Sequence, residues 1–181
     1  MSVSDAVVDG RPVTMEQYRA LGEDPAVEYI DGRLAVSPSP SRRHQKACTR
    51  LVAGLEQVLP ATHDVAMAWS WTTGTDEFIP DVMVHEATTE SARFTGTPAL
   101  LIEVLSGNRR DDLVLKRRKY ALAGIPHYWV VDVDAGTVET LESSSDEPGS
   151  YRVAQLLNAD TGARSLDFGV ASLVVDPRRL A

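Results

Sequence analysis

Apolar positions change their period several times along the chain, and each change marks a new element. Thr14 and Gln17 stand at capping-box spacing, so MEQYRALGE predicts a short helix ending near Gly22. VEYIDGRLAV reads as two short strands about Asp31–Gly32, a strong hairpin signal. From Arg42 to Leu59 the residues Ala47, Leu51, Leu55 and Val58 make one helical stripe, which Pro60 ends. A strand over 63–71, with Val65, Met67 and Trp69 alternating with smaller residues, is followed by a loop, TTGTDE. Two apolar strands come next, FIPDVMV at 78–84 and PALLIEVLS at 98–106. Ser106, Gly107 or Asn108 can cap a helix that runs to Gly124, and HYWVVDV, TVETL, YRVAQLL and SLVV supply the remaining strands. The order predicts a mixed α/β domain whose central sheet is flanked by the long helix and the helix after PALLIEVLS. The segment 99–132 reads as a right-handed parallel crossover.

Each of the two apolar strands is interrupted by one carboxylate, Asp81 in the first and Glu103 in the second. The neighbours of Glu103 are apolar on both sides of the pleat, so both faces of that strand should be covered. An ionised carboxylate there is costly unless something compensates it. If the strands are adjacent, the two acids repel, and one must take up a proton or both must share a cation. A divalent metal resolves the conflict; a buried acid bonded to a loop amide or an arginine is the plainer reading of either one alone. On the following helix Asp112, Lys116 and Tyr120 stand at i, i+4 and i+8, on one face. Lys116 can reach back over the end of the Glu103 strand to neutralise developing phosphate charge, or it can be half of a surface ion pair.

Composition narrows the class. At 181 residues the chain is one domain by length, read as a flexible terminus at 1–13 and a single domain at 14–181. The single cysteine, Cys48, makes no internal disulfide; it suits a reducing compartment and speaks against a cysteine-based zinc site. No apolar run reaches membrane-span length and the N-terminus lacks a signal pattern, so a cytoplasmic protein with no membrane partner is expected. A net charge of −8 weighs mildly against nucleic acid. The bases are nevertheless concentrated, Arg42, Arg43, Lys46 and Arg50 in one segment and Arg109 to Lys119 in another, which leaves room for a phosphate-binding face.

An ordered set of motifs then carries a resemblance. PD at 80–81, EVLS at 103–106, D-x3-K-x3-Y at 112–120 and G-I-P-x-Y-W-x-V-D at 124–132 resemble the Uma2 family. So do VEYIDGRL upstream, SPSPSRRH and the closing SLDFGVASLVV, so that the resemblance spans about Thr14 to Val175. That family is similar in fold to the PD-(D/E)XK endonucleases. The resemblance implies a restriction endonuclease-like core, magnesium (or manganese) held by Asp81 and Glu103, and metal-dependent hydrolysis of DNA. The superfamily lysine stands two residues after the glutamate; Leu105 occupies that position here, and Lys116 takes its place in this family's own pattern. Glu28 matches an acidic position and is either a further metal carboxylate or a solvent-facing strand residue. His44, beside Arg42 and Arg43, is read as a phosphate contact, a structural bond to the hairpin or a catalytic group, and Arg117 as a further substrate contact. His63, His85 and His127 read as ordinary loop or strand histidines, and Tyr128 and Trp129 as core. Two other classes stay open: a catalytically silent nucleic-acid-binding or protein-interaction module, and a small-molecule hydrolase on the same metal site. A homodimer is compatible with the sequence.

Overall fold

A computed structural model of the chain describes residues 12–22, 27–37, 39–105 and 110–180, with 110–112 as backbone alone. The expected cap at Ser106, Gly107 or Asn108, the Asp112 side chain and nearly all of the terminus 1–13 lie outside the described residues. Val13, assigned to that terminus by its sequence, is buried, and its backbone bonds to Gly32 and to the Tyr29 hydroxyl.

Helix α1 (Met15–Arg19) begins with the expected reciprocal cap between Thr14 and Gln17. Strands β1 (Val27–Ile30) and β2 (Arg33–Val36) pair antiparallel about Asp31 and Gly32, whose φ angles of 50° and 75° give the turn that matches strand twist. Ser41 caps α2 (Arg42–Val58) by accepting from the His44 amide. Its stripe of Ala47, Leu51 and Leu55 is buried as expected, whereas Val58, the last residue of the helix, is exposed.

The large sheet contains β3 (His63–Met67), β6 (Val82–Glu86), β7 (Leu100–Leu105), β8 (His127–Asp132), β9 (Thr137–Ser143) and β10 (Tyr151–Leu157), in the order β10-β9-β8-β7-β6-β3. A second sheet, order β2-β1-β5-β4, adds β4 (Trp71–Thr73) and β5 (Asp76–Phe78) to the first hairpin. Three boundaries differ from the sequence reading. The strand expected over 63–71 stops at Met67, since Ala68 takes a φ of 50° and the chain turns away. TTGTDE is the body of the β4–β5 hairpin, turning at Gly74, whose φ is 56°. FIPDVMV is two strands in two sheets, with Ile79–Pro80–Asp81 crossing between them. Pro80 has no N–H to give a ladder, so the break falls there.

The segment β7–α3–β8, with α3 at Arg110–Leu122, forms the expected crossover, and β7 and β8 are parallel in an otherwise antiparallel sheet. Gly124, with a φ of 78°, follows the end of α3. Hairpin β11 (Arg164–Asp167) and β12 (Ser172–Val175) and a short turn at Pro177–Arg179 close the chain. Apolar residues fill both faces of the large sheet. On one, Cys48, Leu51 and Leu55 of α2 pack on Val82, Val84, Leu100, Ile102 and Val104. On the other, Phe78, Met83, Leu101, Tyr120 and Tyr128 pack together. Alternation along β7 therefore sends Glu103 to the α3 side, with Leu101.

Candidate active site

β6 and β7 are neighbours with Val82 opposite Ile102, so Asp81 and Glu103 meet at one end of the strand pair, as the apolar runs required. Glu103 is 5% exposed. Its Oε1 accepts from the Tyr120 hydroxyl at 2.8 Å and from Lys116 Nζ at 3.2 Å. Those two residues stand one turn apart on α3, so one helix face delivers both donors. Lys116 Nζ also lies 3.0 Å from Glu28 Oε1, which accepts from the Ile79 amide at 2.7 Å. Glu28 is 2% exposed, so the solvent-facing alternative does not hold. Asp81 is fixed from two sides: Oδ2 accepts from the Val104 amide at 2.7 Å, and Oδ1 lies 3.0 Å from His44 Nε2.

Glu28, His44, Cys48, Asp81, Glu103 and Lys116 line one cavity of about 310 Å³. Three carboxylates share it with one ammonium. Burial pushes the Glu103 carboxyl up to about 8; Lys116 opposes the shift, while the charges of Asp81 and Glu28 add to it and the Tyr120 hydrogen bond opposes it. Burial also raises the Tyr120 hydroxyl, reinforced by Glu103 and Glu28, and keeps it a donor. Cys48 is pushed up to about 12 by burial and then by Asp81 and Glu103, so it holds its proton as a thiol.

The donor chemistry fits a hard divalent cation. Both described hydrogen bonds to Glu103 fall on Oε1, leaving Oε2 for the cavity, and Asp81 stands beside it at the cavity wall. A cation there would offset the burial, and the added repulsion from Asp81 and Glu28, that raise Glu103.

Asp81, Glu103, Lys116, Glu28 and His44, the candidate residues of the sequence, all line this one cavity. The arginines are elsewhere. Arg43 pairs with Asp134 at 3.0 Å and with the Val133 carbonyl at 2.8 Å, and Arg117 lies 3.8 Å from Glu139. Neither they nor the exposed Arg42 line the cavity. Among the lining residues that received no role from the sequence, two bear on the site. Ile79 supplies the amide that holds Glu28, and Cys48 follows His44 by four residues, a same-face spacing that signals it.

The mixed sheet flanked by helices, with an acid at a strand junction, an acid in the next strand and a lysine on the crossover helix, is a restriction endonuclease-like fold. The family model of Uma2, described as "Putative restriction endonuclease", matches residues 15–173. The chain belongs to the Uma2 family. A solved protein from Anabaena variabilis ATCC 29413, described as a "putative nuclease belonging to DUF820", superposes with a TM-score of 0.79 at 19% identity, covering 93% of this chain and 97% of that one. No curated protein matches. No helix among the described residues is long and apolar enough to cross a membrane.

Proposed function

We propose that this protein is a divalent-metal-dependent nuclease that hydrolyses phosphodiester bonds in DNA at the Asp81–Glu103–Lys116 centre. The observation that carries the reading is the 3.2 Å bridge between the buried Lys116 and Glu103, in the wall of a cavity that Asp81 also lines. A family described as a restriction endonuclease and the fold shared with a nuclease-like neighbour support it.

Asp81 and Glu103 would hold magnesium or manganese through carboxylate oxygens. Such a cation polarises a phosphate and lowers the pKa of bound water. Tyr120 orients Glu103 by donating to Oε1, which leaves the other oxygen without a described hydrogen bond. Glu28 holds Lys116, and it would serve as a further carboxylate where the lysine swings toward substrate. The ammonium of Lys116 is then placed to neutralise charge that develops on the phosphate. Arg42, Arg43 and Arg117, outside the cavity, would act on the flanking phosphates of a long polymer, as would His44 at its wall.

The test is cleavage of several DNA forms with magnesium and with manganese. The intact protein should cleave at least one form, and Asp81→Asn should abolish this along with the metal binding seen by calorimetry. Metal binding without cleavage on every form would leave the silent binding module as the better reading.

A further inference from the structure

Helix α2 carries a donor atom, the Cys48 sulfur, that the phosphodiester reading does not use. His44 and Cys48 stand one turn apart on its buried face, and Asp81 meets them from the junction before β6. One donor atom from each, a ring nitrogen, the sulfur and a carboxylate oxygen, all lie within 4.8 Å of one another. Among the described residues no other three histidine, cysteine or acidic side chains converge this closely.

A second observation points to a ligand. The His44 side chain is 6% exposed; its Nδ1 lies 3.7 Å from Cys48 Sγ, and its Nε2 is buried without a well-directed hydrogen bond. Asp81 Oδ1 is 3.0 Å from that nitrogen, near enough for a hydrogen bond but off its direction. A nitrogen and an oxygen bound to one cation at about 2.0–2.1 Å each stand about 2.9–3.4 Å apart, depending on whether the angle is octahedral or tetrahedral. The separation of these two atoms is therefore that of one edge of a coordination polyhedron. Sulfur, imidazole and carboxylate in one set suit zinc and its neighbours, whereas magnesium takes oxygen alone. The sequence weighs against a site built from several cysteines; a single sulfur in a mixed set is a different case.

We infer that His44, Cys48 and Asp81 bind a zinc-class divalent cation, and that this cation competes with magnesium for Asp81. The competition rests on the metal role proposed above for Asp81; the sulfur-containing site does not. On binding, the Cys48 S–H bond breaks, an Sγ–metal bond forms, and the proton leaves to solvent. No electron is transferred. The site is a brake: zinc held by Asp81 occupies one of the two carboxylates that the hard cation needs.

The test uses the full chain and needs no turnover. Cobalt(II) titrated into the protein should give the near-ultraviolet thiolate-to-cobalt charge-transfer band, and zinc should bleach it at one equivalent. Cys48→Ser should lose the band and bind zinc at least about tenfold more weakly, while keeping its magnesium affinity in calorimetry. Cys48→Ala, read in the same titration, guards against an effect of the buried serine hydroxyl. In the unsubstituted chain, saturating zinc should weaken magnesium binding severalfold. A cobalt complex without the sulfur band, or full zinc affinity in both variants, overturns the site. Magnesium affinity indifferent to zinc overturns the competition. A zinc-free protein that binds no magnesium would refute the nuclease reading instead, and the cobalt band would still decide the sulfur site.

Discussion

Two buried glutamates, Glu77 and Glu103, solve the same problem in opposite ways. Glu77, 2% exposed at the heart of the small sheet, has every side covered. Arg93 lies 3.2 Å from its Oε2, Thr72 donates to that oxygen, and Tyr18 donates to Oε1. Glu103 has its cation and its hydroxyl on one oxygen only, and two further carboxylates face it. A buried acid with a cation and donors on both oxygens is finished as structure. One held from a single side among other acids is poised for something absent from the chain. Burial alone does not separate a structural carboxylate from a reactive one; the balance of its partners does.

The comparison can be broken most sharply at the two cations. Lys116→Ala should lower the rate of DNA cleavage by about 10²–10³-fold with little change in DNA affinity, because its ammonium acts on charge that develops during reaction. Measurement of single-turnover rate beside binding affinity separates the two. A parallel fall in both would make Lys116 an ordinary binding group. Removing the cation from the other glutamate should act on the fold instead. Arg93→Ala leaves Glu77 buried without its guanidinium and should cost on the order of 3 kcal/mol in a denaturant titration. Glu103→Gln in metal-free buffer should cost nothing or raise the melting temperature above about pH 8, where the folded carboxyl is ionised and the substitution removes a repelling charge.

A finer test uses pH. The folded chain keeps the Glu103 proton up to about 8, against an ordinary value of 4.5. The contribution of this group to stability is thus complete below the lower value and is lost as pH rises through the higher one. Without metal, the melting temperature should decline between those limits, and Glu103→Gln should flatten that slope. An unchanged slope in the variant would place the titration elsewhere. The smallest effect belongs to the surface. Arg117→Glu should weaken DNA binding modestly and reduce its salt slope by about one, leaving the single-turnover rate at saturation near normal.

The legible part of the site was whatever local pattern dictates. Glu103 stands out because five apolar neighbours commit its strand to burial, and Lys116 and Tyr120 because helical spacing puts them on one face. Asp81 was legible as an acid, but its surroundings were not. An apolar run reads as one strand, and only Pro80 hinted that the chain changes sheets there. The small sheet escaped for a related reason: its strands have three or four residues, too few to show a period, and β1 is buried throughout. Glu28 therefore could not be told from a surface residue. Glu77 was passed over because its partners come from 59, 16 and 5 positions away, and nothing in the sequence brings Tyr18 or Arg93 to it.

The crossing at Ile79–Pro80–Asp81 has a consequence for the life of the molecule. Its two ends belong to different sheets, and the amide of Ile79 fastens Glu28 while Asp81 takes the Val104 amide. The centre is therefore assembled across a seam, from pieces that are distant in the chain, and its lysine arrives last from α3. A nascent polypeptide that has emerged only through β7 possesses Glu28, Asp81 and Glu103 but lacks the lysine that bridges Glu28 and Glu103. A centre of this construction is complete only once α3 has been made, and it comes apart when the two sheets part.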